Sequence, residues 1–211
     1  MAHNVILLGA PGSGKGTQAA KLVEAFGLSH ISTGELLRAE MAKESELGER
    51  VSDTMQQGRL VDDQTVLELL VANCDLASKQ YIFDGFPRNL DQAKMLDDQV
   101  VKDFPTTALY LEIDLEKLTK RLINRRSCSS CGEIYNLLST PPQKTNSCDK
   151  CGGDLQQRKD DTESVVKNRM EVFTSTIDPL VKYYDERGIL KRVVADDHPD
   201  QVFAAVEKLL G

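Results

Sequence analysis

Residues 9–17 read Gly-Ala-Pro-Gly-Ser-Gly-Lys-Gly-Thr, and this glycine-rich stretch directly follows the apolar run Val5–Leu8. Residues 18–26 then show the spacing of an amphipathic helix. A G-x-x-x-x-G-K pattern between a strand and a helix is typical of a loop that binds nucleotide phosphates. The glycines let backbone N–H groups converge, and the helix start adds a positive dipole end. We therefore predict a phosphate-binding loop in which Lys15 reaches the β- and γ-phosphates and Thr17 lies near the metal ion.

The composition fits a globular protein with one domain and insertions. The chain has 211 residues, of which 40% are hydrophobic and 28% charged. A net charge of −7 argues against a general nucleic-acid binder. The apolar runs are much shorter than the roughly 20 residues of a membrane span, and the first one leads into the glycine-rich loop instead of a signal-peptide cleavage site. We expect a cytoplasmic monomer, without a membrane or nucleic-acid partner.

Five short apolar runs alternate with helical patterns along the chain. The predicted strands are Val5–Leu8, His30–Ser32, Tyr81–Phe83, Thr107–Ile113 and Ile189–Val194. Further helices are predicted near residues 33–41, 62–76, 92–96, 115–123, 161–187 and from 199 onward, with Gly188 closing the long one. Strands that alternate with helices predict a parallel sheet covered on both faces. The expected fold class is α/β, of the P-loop NTPase type, with five parallel strands flanked by helices.

The segment between the second strand and residue 60 is predominantly polar. Ser32 and Glu35 have the spacing of a capping box, which predicts a helix start at Thr33. Residues 44–60 read as helical, with breaks at Gly48 and Gly58. A polar helical pair makes a poor core, so we expect this segment to form a mobile flap.

A second charged motif follows the strand at Tyr81–Phe83. It reads Asp84-Gly85-Phe86-Pro87-Arg88. Ligands of open α/β sheets gather outside the carboxyl ends of the strands, and this motif stands at such an end. The sequence therefore predicts a functional role for Asp84 and Arg88.

Four cysteines form two C-x-x-C pairs with 16 residues between them: Cys128 with Cys131, and Cys148 with Cys151. This spacing fits a tetrahedral zinc ion bound by four thiolates, which leaves no open position and makes the metal structural. Two disulfides, unliganded thiols and a nucleic-acid-binding zinc ribbon are the alternatives. Cys74 stands alone in an apolar stretch and reads as a small buried hydrophobe.

With these motifs in hand, nearly the whole chain resembles the adenylate kinases, and more narrowly their long-lid, zinc-bearing bacterial type. Residues 9–17 match the phosphate loop of that family, residues 32–34 with Arg38 its STG…R segment, and residues 84–88 its DGFPR signature. Residues 158–161 match the family's RxDD lid exit. The resemblance implies a reversible, Mg-dependent phosphoryl transfer from ATP to AMP that gives two ADP.

The resemblance also implies roles for individual residues. The implied catalytic residues are Lys15, Asp84, Arg88, Arg125, Arg158 and Arg169. The implied ATP-binding residues are Gly12, Ser13, Gly14, Lys15, Gly16, Thr17, Arg121 and Arg125. The implied AMP-binding residues are Thr33, Arg38, Gly85, Arg88, Gln92, Arg158 and Arg169, of which Gln92 would recognise the adenine. Asp84 would orient magnesium through its water shell.

The same resemblance implies a division of the chain into three parts. A core domain would comprise residues 1–30, 61–126 and 159–211. Residues 31–60 would form the helical segment that binds the nucleoside monophosphate, and residues 127–158 a zinc-ribbon-like lid that carries the four cysteines. Arg126 has no matched role and is expected to be solvated.

Three departures from the usual pattern bear on these expectations. Gly16 stands where a phosphate loop usually has Ser or Thr, so the hydroxyl of Thr17 comes one residue late. The lid has Leu137–Pro142 in place of an aromatic residue and Asn before the prolines, and residues 195–198 read Ala-Asp-Asp-His in place of Asp-Gly. The last change touches the donor-base loop. Open alternatives are a kinase for UMP, CMP or GMP, a GTP-preferring donor site, and a nucleotide-binding switch without phosphoryl transfer.

Overall fold

A computed structural model describes residues 3–43 and 45–211 of the protein. Within these residues the strands are β1 (Asn4–Gly9), β2 (Ser29–Ser32), β3 (Tyr81–Asp84), β4 (Thr106–Glu112), β5 (Arg125–Cys128), β6 (Ile134–Asn136), β7 (Leu155–Gln156) and β8 (Leu190–Val194). The helices are α1 (Lys15–Phe26), α2 (Thr33–Met41), α3 (Glu46–Gln56), α4 (Asp63–Val71), α5 (Leu90–Leu96), α6 (Leu115–Ile123), α7 (Glu163–Glu186) and α8 (Pro199–Leu210).

The predicted parallel sheet is confirmed. Five strands pair in the order β2-β3-β1-β4-β8, and every pairing is parallel. The chain leaves β1 toward β2 on one side and leaves β3 toward β4 on the other, so the direction of winding changes between β1 and β3. The carboxyl ends of strands at such a point form a crevice, and that is where ligands bind in open α/β sheets. The glycine-rich loop and the Asp84–Arg88 motif both begin there.

The sheet separates two hydrophobic clusters. Along β1, Ile6 and Leu8 belong to the larger cluster, which α2, α4, α5 and α7 cover. Val5 and Leu7 belong to the other cluster, with side chains of α1 and α8. Successive residues of a strand point to opposite faces, so a continuous apolar run is what a strand covered on both sides requires.

The polar segment differs from its prediction in two details. The side chain of Ser32 makes no capping hydrogen bond at the start of α2, so the predicted capping box is wrong. Gly48 lies inside α3 and does not break it. A Cβ at Gly48 would lie 2.6 Å from the carbonyl oxygen of Glu40, so this glycine permits the close approach of α3 to the end of α2. Gly58 does end the segment, with a positive φ of 69°.

Residues 125–156 form a small unit with its own antiparallel sheet. The strands pair in the order β6-β5-β7. Cys128, Tyr135, Cys148 and Leu155 form a separate buried cluster beneath them. None of the helices in the described ranges is long and apolar enough to cross a membrane.

Candidate active site

A cleft of about 960 Å³ opens at the carboxyl ends of β1 and β3. It is large enough for sizeable ligands, since small-molecule sites usually measure about 300–1,000 Å³. Most of the predicted site residues line it: Gly12, Gly14, Lys15, Gly16, Thr17, Arg38, Asp84, Gly85, Arg88, Arg121, Arg125, Arg158 and Arg169. Ser13, Thr33 and Gln92 are buried behind this wall. One cleft therefore gathers charged groups from five separate parts of the chain.

The glycine-rich loop encloses the Lys15 side chain. Gly12 and Gly14 have positive φ angles of 83° and 93°, which glycine adopts without strain. The ammonium of Lys15 donates to the carbonyl oxygens of Gly9 at 2.7 Å and Ala10 at 2.9 Å. Burial lowers the pKa of Lys15 to about 8, although the carboxylate of Asp84 raises it. The loop thus holds a buried cation whose charge an incoming phosphate would stabilise.

Asp84 ends β3 and faces the same cleft. Burial raises the pKa of its carboxyl group, but His30 and the charge of Lys15 outweigh that effect, so the pKa lies below its ordinary value. Nε2 of His30 lies 3.4 Å from Oδ2 of Asp84. Although burial lowers the pKa of His30, this contact raises it overall. His30 was assigned no role from the sequence, because a histidine in a short apolar strand carries no motif of its own.

Gly85 and Arg88 form a tight turn after Asp84. Nε of Arg88 donates to the carbonyl oxygen of Gly85 at 2.7 Å. A Cβ at Gly85 would lie 2.8 Å from Oγ1 of Thr33 and 3.2 Å from the Arg88 guanidinium. Burial and the positive charge of Arg169 lower the pKa of Arg88 to about 10. The turn therefore presents the exposed guanidinium of Arg88 to the cleft, where an anion would offset its repulsion from Arg169.

Gln92 is placed one layer behind the cleft. Its Oε1 accepts from the backbone N–H of Arg88 at 2.7 Å, and its Nε2 donates to Oδ1 of Asp63 at 2.7 Å. Asn89 accepts from the backbone N–H of Gln92 and so caps α5. In this conformation both ends of the Gln92 amide are engaged, one with the Arg88 turn and the other with Asp63 of α4. Its implied contact with an adenine stays a prediction.

Two acidic residues, Asp160 and Asp161, hold Arg125 and Arg169 in place in the cleft. Asp161 is completely buried, and it accepts from Arg125 at 2.6 and 2.8 Å and from Arg169 at 3.2 Å. Asp160 forms an ion pair of 3.0 Å with Arg169. Burial raises the pKa of Asp160, but Arg169 and Arg125 lower it below its ordinary value. These contacts fix two guanidinium groups side by side.

Three further arginines complete the cationic surroundings. Nε of Arg158 donates to Oγ of Ser127 at 2.8 Å, and burial together with the charge of Arg125 lowers the pKa of Arg158 to about 10. Burial also lowers the pKa of Arg38. Arg121 reaches toward the carbonyl oxygen of Asp196 at 3.4 Å. Together they extend the positive wall from the phosphate loop to the α2 side.

Arg126 is not solvated as predicted. It is half-buried, and its guanidinium donates to the carbonyl oxygens of Ile123 at 3.2 Å and of Arg125 at 2.8 Å. Carbonyl groups at the end of a helix lack partners within the helix. Arg126 therefore supports the end of α6 and does not line the cleft.

The four clustered cysteines have the geometry of a metal site. Their sulfur atoms all lie within 4.8 Å of one another. Sγ of Cys128 lies 3.5 Å from Sγ of Cys151, and Sγ of Cys131 lies 3.6 Å from Sγ of Cys148. Four sulfurs at about 2.3 Å from a tetrahedral zinc ion would be separated by about 3.8 Å, close to these distances. A disulfide bond measures about 2.0 Å, so the alternative of two disulfides does not describe this structure.

Comparisons with known proteins agree with one another. The family model described as adenylate kinase matches residues 7–189. A protein of Thermodesulfovibrio yellowstonii named adenylate kinase is 42% identical over 210 residues, which cover 98% of each chain. A protein of Nitrosococcus oceani with that name is 42% identical over 210 residues, or 97% of each chain. The adenylate kinase of Bacillus pumilus is 39% identical over 213 residues, which cover 99% of this chain and 98% of its own.

Proposed function

The chain belongs to the adenylate kinase family and is a nucleoside monophosphate kinase, and we propose that the cleft described above binds ATP and AMP together and transfers the phosphoryl group between them. The comparisons do not favour another acceptor base or a GTP donor. The observation that carries the proposal is the presence of two groups of cationic side chains on one cleft. Lys15 and the glycine-rich loop would form one phosphate site, and Arg38 and Arg88 would form the other.

The proposed chemistry depends on charge and position. The attacking atom is a phosphate oxygen of AMP, which is already ionised at neutral pH, so no general base is required. The barrier comes from bringing two polyanions together and aligning them with the transferring group. Planar guanidinium groups bind phosphate oxygens bidentately, which explains the use of several arginines. A switch protein would have no need of the second site at Arg38 and Arg88.

The donor side would be formed by the loop residues, with Arg121 and Arg125 along the phosphate chain. The acceptor side would be formed by Thr33, Arg38, Gly85 and Arg88. Arg158 and Arg169, which also belong to the implied AMP-binding set, would stand between the two sides and contact the transferring group. Support for this division comes from the cleft, where Asp160 and Asp161 hold Arg169 beside Arg125.

Asp84 fits the requirements of the magnesium that accompanies ATP. Magnesium prefers oxygen ligands and usually keeps several waters, and it is held in proteins by one or two carboxylates. The carboxylate of Asp84 lines the cleft and its pKa lies below the ordinary value, so it is ionised at neutral pH. When bound, the metal would neutralise charge on the phosphates.

We further propose that the lid and the polar helical segment cover the two nucleotides. Water must be excluded from the transferring group, since otherwise ATP would be hydrolysed. Residues 127–158 would cover the donor, and residues 31–60 the acceptor. Zinc on the four cysteines would keep the lid rigid and take no part in the reaction. We expect the enzyme to work as a cytoplasmic monomer.

The test is the formation of ADP from MgATP with AMP, CMP, UMP, GMP or no acceptor. We expect fast transfer to AMP and little ADP without an acceptor. A Lys15→Met variant, purified in the same way, controls for contaminating kinases. Preference for another monophosphate would reject the assignment of AMP as the acceptor. Hydrolysis of ATP without an acceptor would reject the proposal that residues 31–60 and 127–158 exclude water.

A further inference from the structure

His30 has no role in the site assigned above, yet its side chain lies at the edge of the cleft. It belongs to β2, in which Ser32 pairs with Asp84 and His30 pairs with Ile82. Residues two apart in a strand share a face, so His30 and Asp84 are diagonal neighbours on one side of the sheet. Their side chains are 23% and 13% exposed, so both are largely removed from water.

The approach of the two side chains is specific. Nε2 of His30 lies 3.4 Å from Oδ2 of Asp84, which is an ion-pair distance slightly longer than an ordinary hydrogen bond. Nε2 is inaccessible to solvent and has no hydrogen-bond partner within the described part of the chain, so the Asp84 carboxylate is the acceptor within its reach. Of the basic side chains in that part, only His30 brings a nitrogen within 4.0 Å of the carboxylate.

The other charges around Asp84 act from farther away. Lys15 is engaged with the carbonyl oxygens of Gly9 and Ala10, and Nε of Arg88 is engaged with Gly85. Their charges stabilise the carboxylate but do not fix its plane. A carboxylate that is expected to hold the water shell of a metal needs a partner that fixes its orientation, because such partners orient metal-binding groups.

We propose that His30 is a positioning residue, whose Nε2–H donates to Oδ2 of Asp84 and holds the carboxylate in one orientation toward the magnesium that accompanies ATP. This inference rests on the proposed function, because it deepens the role given there to Asp84. His30 touches neither nucleotide in this assignment and acts only through Asp84. A purely structural histidine would instead contribute to the stability of the β2–β3 pair and leave metal binding unchanged.

The test compares the affinity for ATP with and without magnesium, measured by calorimetry in the absence of any acceptor. The ratio of the two affinities reports how well the site uses the metal, and it needs no turnover. His30→Leu removes the donor and keeps an apolar side chain of similar size. Loss of an orienting partner typically costs 10–100-fold in metal affinity or activity, so we expect the ratio to fall about tenfold. His30→Gln retains an N–H donor and should recover most of the ratio.

A double-mutant cycle identifies the route of the effect. Asp84→Asn should lower the ratio by itself, and adding His30→Leu to it should lower it no further, because contacting residues are not additive when one acts through the other. Independent, additive losses would overturn the proposal. So would a His30→Leu protein that has a lower unfolding temperature but the wild-type ratio.

A folding failure of His30→Leu does not remove the test. In that case His30→Asn, whose shorter amide falls short of Asp84, replaces it and should show the reduced ratio. A wild-type ratio in a folded His30→Asn protein would overturn the proposal. Failure of the proposed function is seen separately, as an absence of transfer to AMP by the wild-type enzyme.

Discussion

Asp161 and Arg125 are joined by two hydrogen bonds, from Nε to Oδ2 at 2.8 Å and from Nη2 to Oδ1 at 2.6 Å. Such a paired arrangement fixes the plane of the guanidinium as well as its position. Because Oδ1 of Asp161 also accepts from Arg169 at 3.2 Å, one buried carboxylate aligns Arg169, which is assigned to the transferring group, with Arg125, which is assigned to the donor phosphate chain.

Replacement of Asp161 by Asn should therefore reduce catalysis without removing any phosphate ligand. The variant keeps the shape of the side chain but loses its charge and one acceptor, so Arg125 and Arg169 would lose their alignment. A displacement of about 1 Å in a catalytic group can cost about 10²-fold, and we expect a fall of that order in kcat. Asp53→Asn, on the exposed face of α3, is the matched control. A kcat within twofold of wild type would contradict this role.

Replacement of Arg88 by Ala should have a larger effect. In related phosphoryl transfers one arginine contributes about 10³–10⁵ in rate, and we expect a loss in that range with the far-UV circular dichroism unchanged. Arg126→Ala is the control, because it also removes one positive charge but at a position outside the cleft. This variant should retain activity within a few-fold. Equal losses in the two variants would show that general charge, and not the position of Arg88, is what matters.

Removal of metal from the four cysteines should lower stability more than activity. Chelation should reduce the unfolding temperature in a scanning fluorescence measurement, and added zinc should restore it, because a structural site contributes to folding. Turnover at low temperature should change little. Cys74→Ser is the control, since burial raises the pKa of Cys74 to about 11 and keeps its thiol protonated. A sharp loss of turnover in a protein that remains folded would assign the metal a part in the reaction.

The affinity for ATP should depend on the protonation of Lys15. Its pKa in the free protein is about 8, so a growing fraction is neutral above that pH. Phosphates favour the charged form, so binding above pH 8 must be accompanied by proton uptake, and the affinity should fall by up to tenfold per pH unit. Well below pH 8, where Lys15 is fully protonated, this group should cause no further change. Calorimetry between pH 7 and 9.5 would show the decline in wild type, and its absence in Lys15→Met.

Most of the sheet and the phosphate loop could be predicted because their signals are local. Each central strand carries its own apolar run, and the loop is complete within nine residues of continuous sequence. The four-cysteine site could likewise be predicted from the sequence, since two short C-x-x-C pairs contain all four of its sulfur atoms. In these cases the residues that act together are also close in the chain.

Features that depend on contact between distant segments were missed or misjudged. Gly48 was predicted to break a helix. A glycine is instead required there because the backbone of Glu40 lies too close for a Cβ, and the sequence of α3 does not reveal that contact. The Asp161–Arg125 pair joins residues 36 positions apart, with the small antiparallel unit between them. The His30–Asp84 contact exists because β2 and β3 are adjacent in the sheet, although the two residues are far apart in the sequence.

The small antiparallel unit of residues 125–156 has a consequence for the way this protein can change over generations. Its strands β5, β6 and β7 pair only with one another in the described structure, and its buried cluster is separate from those of the main sheet. Substitutions at exposed positions such as Leu138 therefore leave the registers of the main sheet unaffected. Selection can therefore alter the outer surface of this unit, whereas its inner side is constrained because Arg125 begins β5 and Ser127 accepts from Arg158.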